Sequence, residues 1–405
     1  VRALSKPDAA PPSPLLDKLA VLGRRHDVLR AETQRARTGE ALTRTRLGEA
    51  LVAALAARSR AEAAARTAVF ARHLAAGRAW LRPDRRNRLR RLVERLLSRL
   101  GPWGQALVIA RSGVWRTQGP GLRAVLKALP AMAAYARRGA DPTAQPAAPF
   151  DQTFYLRGHA DVAASGRSPL THYLLTGGRE GRAPHPLFDP AAYERQVGDG
   201  LAATGLTALE HYLRLGAPRG LSPHPLFDPA EYAVQAPELA DTGESPLAHY
   251  LRIGARQGLS PHPLFQPDYY RRGAAGLAAE VNPLVHYLAH GSERGLKPHP
   301  LFDPAWYRER HPTLGRTDPL QHFVAHAGRE DLEPGPWFNA ARYKALRGAD
   351  RPAGLDPLTD YLRGGAWAVA EPNPGFHAFA YLAAHPELAD QGLTPLEHWA
   401  RRSGR

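Results

Sequence analysis

Residues 150–187 read FDQTFYLRGHADVAASGRSPLTHYLLTGGREGRAPHPL, and residues 188–226 read FDPAAYERQVGDGLAATGLTALEHYLRLGAPRGLSPHPL. The second stretch repeats the first almost position for position, and the pattern continues to the end of the chain. Its register is set by a Phe followed five residues later by a Tyr: Phe150/Tyr155, Phe188/Tyr193, Phe227/Tyr232, Phe265/Tyr270, Phe302/Tyr307, Phe338/Tyr343 and Phe376/Tyr381. Successive Phe positions differ by 38, 39, 38, 37, 36 and 38. A period of this length held through seven units decides the architecture: an all-α repeat solenoid over residues 150–405.

Each unit carries its own punctuation for two short helices. The first opens at an Asp-Pro pair, as in Asp189-Pro190, Asp228-Pro229 and Asp303-Pro304. The carboxylate can accept free N–H groups of the first turn, and the Pro presets φ where its missing N–H costs nothing. The second opens at Ser168-Pro169, Ser245-Pro246, Asn282-Pro283, Asp318-Pro319, Asp356-Pro357 and Thr394-Pro395. It ends near Gly177, Gly216, Gly254, Gly291 or Gly365, where a glycine suits a left-handed C-cap. A Pro-His-Pro connector then leads to the next Phe. One unit has too little apolar surface to fold alone, so neighbours must share a core. The last units drift, with Asp360 in a His position, Ala327 in a Gly position and Trp399 in a Tyr position. Atypical ends suit capping.

Two sets of histidines recur with the repeat. His172, His211, His249, His286, His322 and His398 share one place in the second helix, and His185, His224, His262 and His299 sit between connector prolines. A ladder of metal or proton sites is one reading. Ligands must converge within a few ångströms, however, while equivalent positions lie a repeat apart with no regular partner, and the chain has no Cys. A structural role is therefore expected for the first set, each imidazole bonding a neighbouring connector carbonyl, and packing for the second. No catalytic residue, metal ligand or cofactor site is assigned. Among the aromatics, Trp306, Trp337 and Trp367 are candidate glycan contacts, because a Trp face beside basic groups can stack on a sugar ring; shared-core packing is the competing expectation.

The charge is uneven. Of the 54 Lys+Arg and 38 Asp+Glu, residues 1–149 hold 29 and 10, a net of +19, which leaves −3 for the repeats. Residues 1–14 are expected to be disordered, 15–139 to form a basic Ala/Arg/Leu-rich helical or coiled-coil-like region, and 140–149 (ADPTAQPAAP) to be a linker. Leu15, Leu19, Leu22 and Leu29, then Leu47, Leu51 and Leu55, form a broken apolar stripe. Over residues 84–100, Leu89, Leu92, Val93, Leu96, Leu97 and Leu100 keep helical spacing while Arg85, Arg88, Arg91, Arg95 and Arg99 line the remaining surface. That pattern predicts a basic amphipathic helix, which can pack its Leu face on a partner helix and leave the Arg solvated, or lie on an anionic membrane or acidic polymer. Nucleic acid is disfavoured because no nucleic-acid-binding motif accompanies the charge. The start, Val1 to Pro14, lacks the pattern of a signal peptide, and no apolar run spans a bilayer.

The repeat motif resembles one that accompanies bacterial surface-polysaccharide glycosyltransferases. In unit one it covers Tyr155-Leu156, Ala160 to Ala163, Pro169-Leu170, His172 to Leu174 and Gly178 to Arg182. The likeness extends over about residues 150–405. It implies an accessory region whose partner is a polysaccharide or a protein of a glycan-assembly system. The lack of a signal-peptide pattern and of a spanning run leads to the expectation of a cytoplasmic chain, which the basic helix could hold at the inner membrane. The transferase chemistry itself is not implied here: there is no Asp-x-Asp and no GxGxxG after a strand. The expected function is thus a non-catalytic scaffold, with a protein-interaction solenoid docked to a membrane as the alternative.

Overall fold

The computed structural model describes residues 14–78, 93, 96–115, 122–369 and 371–403. The fold is all-α, and seven helical units fill residues 150–403. The only β-pairing among the described residues is a set of isolated bridges such as His185 with Phe188. Before the units come α1 (Pro14–Arg78), α2 (Gly101–Ser112) and α3 (Leu122–Arg138).

The local capping chemistry forms. Asp189 Oδ1 accepts from Ala192 N at 2.9 Å, Asp228 accepts from Ala230 and Glu231 N, and Asp303 accepts from Trp306 N. At the second helices Ser245, Asn282, Asp318 and Asp356 do the same. Thr207 and Glu210 form a reciprocal capping box.

Each unit packs a three-ring cluster, fully buried in units one to six and partly buried in unit seven, where Tyr381 and Trp399 are half-buried. Phe188, Tyr193 and Tyr212 stand with centroids 5.6, 5.7 and 5.8 Å apart, and the two tyrosines meet edge to face at 87°. The same trio recurs in every unit, with Phe323 as third ring in unit five and Trp399 in unit seven. Because the clusters also touch their neighbours, one continuous apolar core runs from Ala106 to Ala400. Edge-to-face rings add to plain burial, since each positive rim meets a negative face.

The helix-ending glycine has a different cause from the one expected. Gly177, Gly216, Gly254 and Gly291 are not left-handed; the left-handed glycines come four residues later, at Gly181, Gly220, Gly258 and Gly295. A Cβ at Gly177, Gly216, Gly254, Gly291 or Gly365 would collide with the hydroxyl of its own unit's first-helix Tyr. In units one to four the second helix widens into a π turn there, as in Tyr173–Gly177, where Gly178 N donates to Tyr173 O at 2.7 Å. In unit five, Ala327 takes the position and the helix stays α, with Ala327 N bonding Phe323 O.

The linker expected at 140–149 is part of the packed array. Ala144, Pro146 and Pro149 are buried, and Ala147 bridges Phe150 as His185, His262 and His299 bridge their own Phe. Before it, α2 and α3 pack as a hairpin that stands where a preceding repeat would. Tyr135 of α3 is buried; its hydroxyl lies 2.5 Å from Gln152 Oε1 and receives Leu170 N at 3.1 Å, the first turn of unit one's second helix. Ser168 N donates to Gln105 Oε1 of α2. So the basic region is not one separate body. α1 also lies against the units: Val52 and Leu55 pack with Leu382 and Leu388, Ser59 bonds Arg363 O, and Phe70 covers Gly220. Of the predicted stripe, Leu51 and Leu55 meet unit seven, whereas Leu29 and Leu47 are exposed.

Candidate functional site

The two histidine ladders were the strongest sequence candidates, and the structure places both inside the fold. In the second helices, Nδ1 of each repeat histidine meets the hydroxyl of its own unit's Tyr: Tyr155–His172 at 3.1 Å, Tyr193–His211 at 2.7 Å, Tyr232–His249 at 2.6 Å, Tyr270–His286 at 2.6 Å, Tyr307–His322 at 2.8 Å and Tyr381–His398 at 2.8 Å. The expected partner, a neighbouring connector carbonyl, is replaced by this phenol because the Tyr ring reaches across the glycine at the helix end. In unit two, burial pushes the Tyr193 phenol up and the His211 imidazole down, so both are neutral and the phenol donates. Unit six shows what the bond requires. There Asp360 takes the histidine's place, accepts from Tyr343 at 2.6 Å and is balanced by Arg347 at 3.0 Å.

The connector histidines are held by their own turns. Leu187 N donates to His185 Nδ1 at 2.9 Å, and Leu226, Leu264 and Leu301 do the same to His224, His262 and His299. A backbone N–H can only donate, which makes Nδ1 the acceptor and places a ring proton on Nε2. Burial lowers His185, His224 and His262 to about 4.

These rings face the array's inner side, where another part of the chain meets them. His299 Nε2 lies 3.1 Å from Glu397 Oε1, and Gln266 Nε2 donates to the same oxygen at 2.8 Å. Burial alone would raise Glu397, but the contacts to His299 and Thr394 together outweigh it and hold the carboxyl at about 2. Gln321 meets His224 Nε2 at 3.2 Å, its amide oxygen being the atom that can accept from that ring. Arg401 reaches Gln266 at 2.6 Å, and Arg363 pairs with Asp228. Units five, six and seven thus contact units two to three, three and four, so the array returns on itself after about three units. Arg214, at the position equivalent to Arg363 and Arg401, bonds the carbonyls of Ser112 and Arg111 in α2. The hairpin therefore supplies the preceding turn for unit two. Of these long-range partners, Gln266, Gln321, Glu397 and the arginines were not singled out from sequence, although an Arg recurs three residues past the repeat-histidine position at Arg214, Arg252, Arg363 and Arg401.

The candidate tryptophans have separate surroundings. Trp306 is half-buried, with the Arg310 guanidinium 3.7 Å over its ring. Trp337 stands edge-on to Trp399 at 5.0 Å, and Trp367 packs against both apolar clusters. Among the described residues no ring contact joins Trp306, Trp337 and Trp367 to one another. Arg85, Arg88, Arg91 and Arg95 lie outside the described residues, and Arg99 is exposed. Among the described residues no group of three His, Cys, Asp or Glu is placed to hold a metal ion, and no helix is long and apolar enough to cross a membrane. Comparison with protein-family models, curated proteins and solved structures finds no match to this chain.

Proposed function

We propose that the chain is a non-catalytic scaffold of a bacterial surface-polysaccharide assembly system, its repeat array holding a partner protein. The observation that carries the scaffold reading is the engagement of the repeated polar atoms. A repeated ligand site needs the same donors and acceptors free in successive units. Here the first-helix Tyr hydroxyls and histidine Nδ1 atoms bond each other, and the connector Nδ1 atoms accept from their own backbone. The second-helix tyrosines Tyr173, Tyr212, Tyr287 and Tyr361, whose hydroxyls have no hydrogen-bond partner among the described residues, are fully buried and out of a ligand's reach. The outward-facing side chains differ from unit to unit, which suits an irregular protein partner better than a repeating polymer. The polysaccharide context rests on the resemblance of the FDxxYY…PLxHYL motif.

Removing residues 150–405 from the native bacterium and quantifying its surface polysaccharide tests that context. The expected result is loss or shortening of the polymer; an unchanged polymer would sink the assignment. A screen of the full chain against capsule and lipopolysaccharide fragments separates the two scaffold modes. Saturable binding abolished by Trp306→Ala would replace the partner-protein reading with direct glycan contact. Turnover of a nucleotide sugar by the purified chain would overturn the non-catalytic reading.

A further inference from the structure

We infer that the α2–α3 hairpin is the face by which this protein lies on an anionic lipid bilayer. The inference concerns different residues from the scaffold reading and does not depend on what the array holds.

The hairpin's inner side is fully used. Ala106, Val108, Ile109, Met132, Ala133 and Tyr135 are in the continuous core, and Arg214 pins the end of α2. Its outer side is unusual for a surface in water. Leu100 is 70% exposed, Trp103 54%, Leu107 39%, Leu122 73% and Leu126 54%. Trp103 and Leu107 are four residues apart on α2, as are Leu122 and Leu126 on α3, so each helix shows its pair on one face. Five large apolar side chains gathered on one small hairpin mark a contact surface, whereas single exposed leucines would not.

Charge selects the occupant. Residues 96–140 contain seven Lys/Arg and no Asp or Glu. Arg111 continues the Trp103/Leu107 face one turn further, and Arg123 and Lys127 each adjoin the exposed leucines of α3; all three are exposed. Leucines that leave water, an indole at their edge and a basic rim match the boundary of a bilayer with acidic headgroups. A nucleic acid would take the cations and leave the leucines in water. A second copy of this hairpin would set like charges against each other.

The test is flotation of the full chain with phosphatidylcholine vesicles, with and without phosphatidylglycerol. Wild type is expected to float only with the acidic lipid. Trp103→Ser/Leu107→Ser/Leu122→Ser/Leu126→Ser removes the apolar face and should lower the partition at least about tenfold. Arg123→Glu/Lys127→Glu should abolish the preference for acidic lipid, again by about tenfold or more. Circular dichroism checks that both variants fold. Hydrogen exchange on wild type supplies a reading that needs no variant, since acidic vesicles should protect residues 100–112 and 122–130. Absence of flotation, flotation insensitive to the serine variant, or dimerisation through Trp103 without lipid would each overturn the inference.

Discussion

The glycine beneath the Tyr–His pair can be tested by a double-mutant cycle in unit three. A Cβ on Gly254 would lie 2.1 Å from the Tyr232 hydroxyl, and 3.0 and 3.1 Å from its Cζ and Cε2. Gly254→Ala must therefore displace the ring, at about 1–3 kcal/mol for overpacking, partly offset by up to about 1 kcal/mol from alanine's better helix propensity. Tyr232→Phe removes the donor 2.6 Å from Nδ1 of the buried His249, at about 1–3 kcal/mol. In the double variant the 2.1 Å collision is gone, and the two remaining carbon contacts need shifts of only a few tenths of an ångström. The alanine should then cost close to nothing, so the pair falls short of additivity by about 1–2 kcal/mol. Urea unfolding of all four proteins, followed by far-ultraviolet circular dichroism, measures this; equal slopes show that the same cooperative unit unfolds. Additivity within about 0.5 kcal/mol would mean that the hydroxyl and the glycine do not share that space.

Acid should unfold the array. His185, His224 and His262 fall from 6.5 to about 4 on burial. The unfolded chain thus binds their protons first, and stability is lost as pH falls from 6.5 to 4, by about 3 kcal/mol per ring. Asp356, raised by burial to about 6, works in the opposite sense and returns about 3 kcal/mol over part of that range. A melting temperature unchanged between neutral pH and pH 4.5 would refute this. Arg363→Met leaves Asp228 without its cation between the two turns, and should cost about 2 kcal/mol after allowing for partial exposure. Small-angle scattering should then show a larger radius, and an unchanged radius would speak against closure by this pair. Tyr135→Phe should raise hydrogen exchange in residues 168–177 while leaving unit six unaffected; uniform change would deny the hairpin its place as a preceding unit.

The unit was legible because its determinants are local. Asp-Pro caps, Pro-His-Pro connectors and a five-residue Phe–Tyr step each act within a few residues. The purpose of Gly216 or Gly254 was hidden, because the clash that demands glycine comes from a tyrosine more than twenty residues earlier. A signal for the hairpin's role was present: Pro146-Ala147-Ala148-Pro149-Phe150 keeps the connector's outline with Ala in place of His. The inner contacts left only the Arg that recurs at Arg214, Arg252, Arg363 and Arg401, which does not name its partners, since Gln321, Arg363, Glu397 and Arg401 act on groups 97, 135, 98 and 135 residues away. For the candidate site, recurrence located both histidine ladders but could not name their partners. A phenol one helix away and a backbone N–H two residues on leave the same periodic trace.

The long first helix changes what the number of repeats means. An open solenoid tolerates the gain or loss of a unit, because each unit senses only its neighbours. Here Gly48 of α1 abuts the backbone at Phe379 in unit seven, while Phe70 rests on Gly220 in unit two. The rod between those points measures about 33 Å at helical rise. It works as a gauge, since inserting or deleting one unit would swing unit seven off its mark by roughly a third of a turn. Drift in repeat copy number, the ordinary route by which such arrays diversify, is therefore closed to this lineage unless α1 is recut to match.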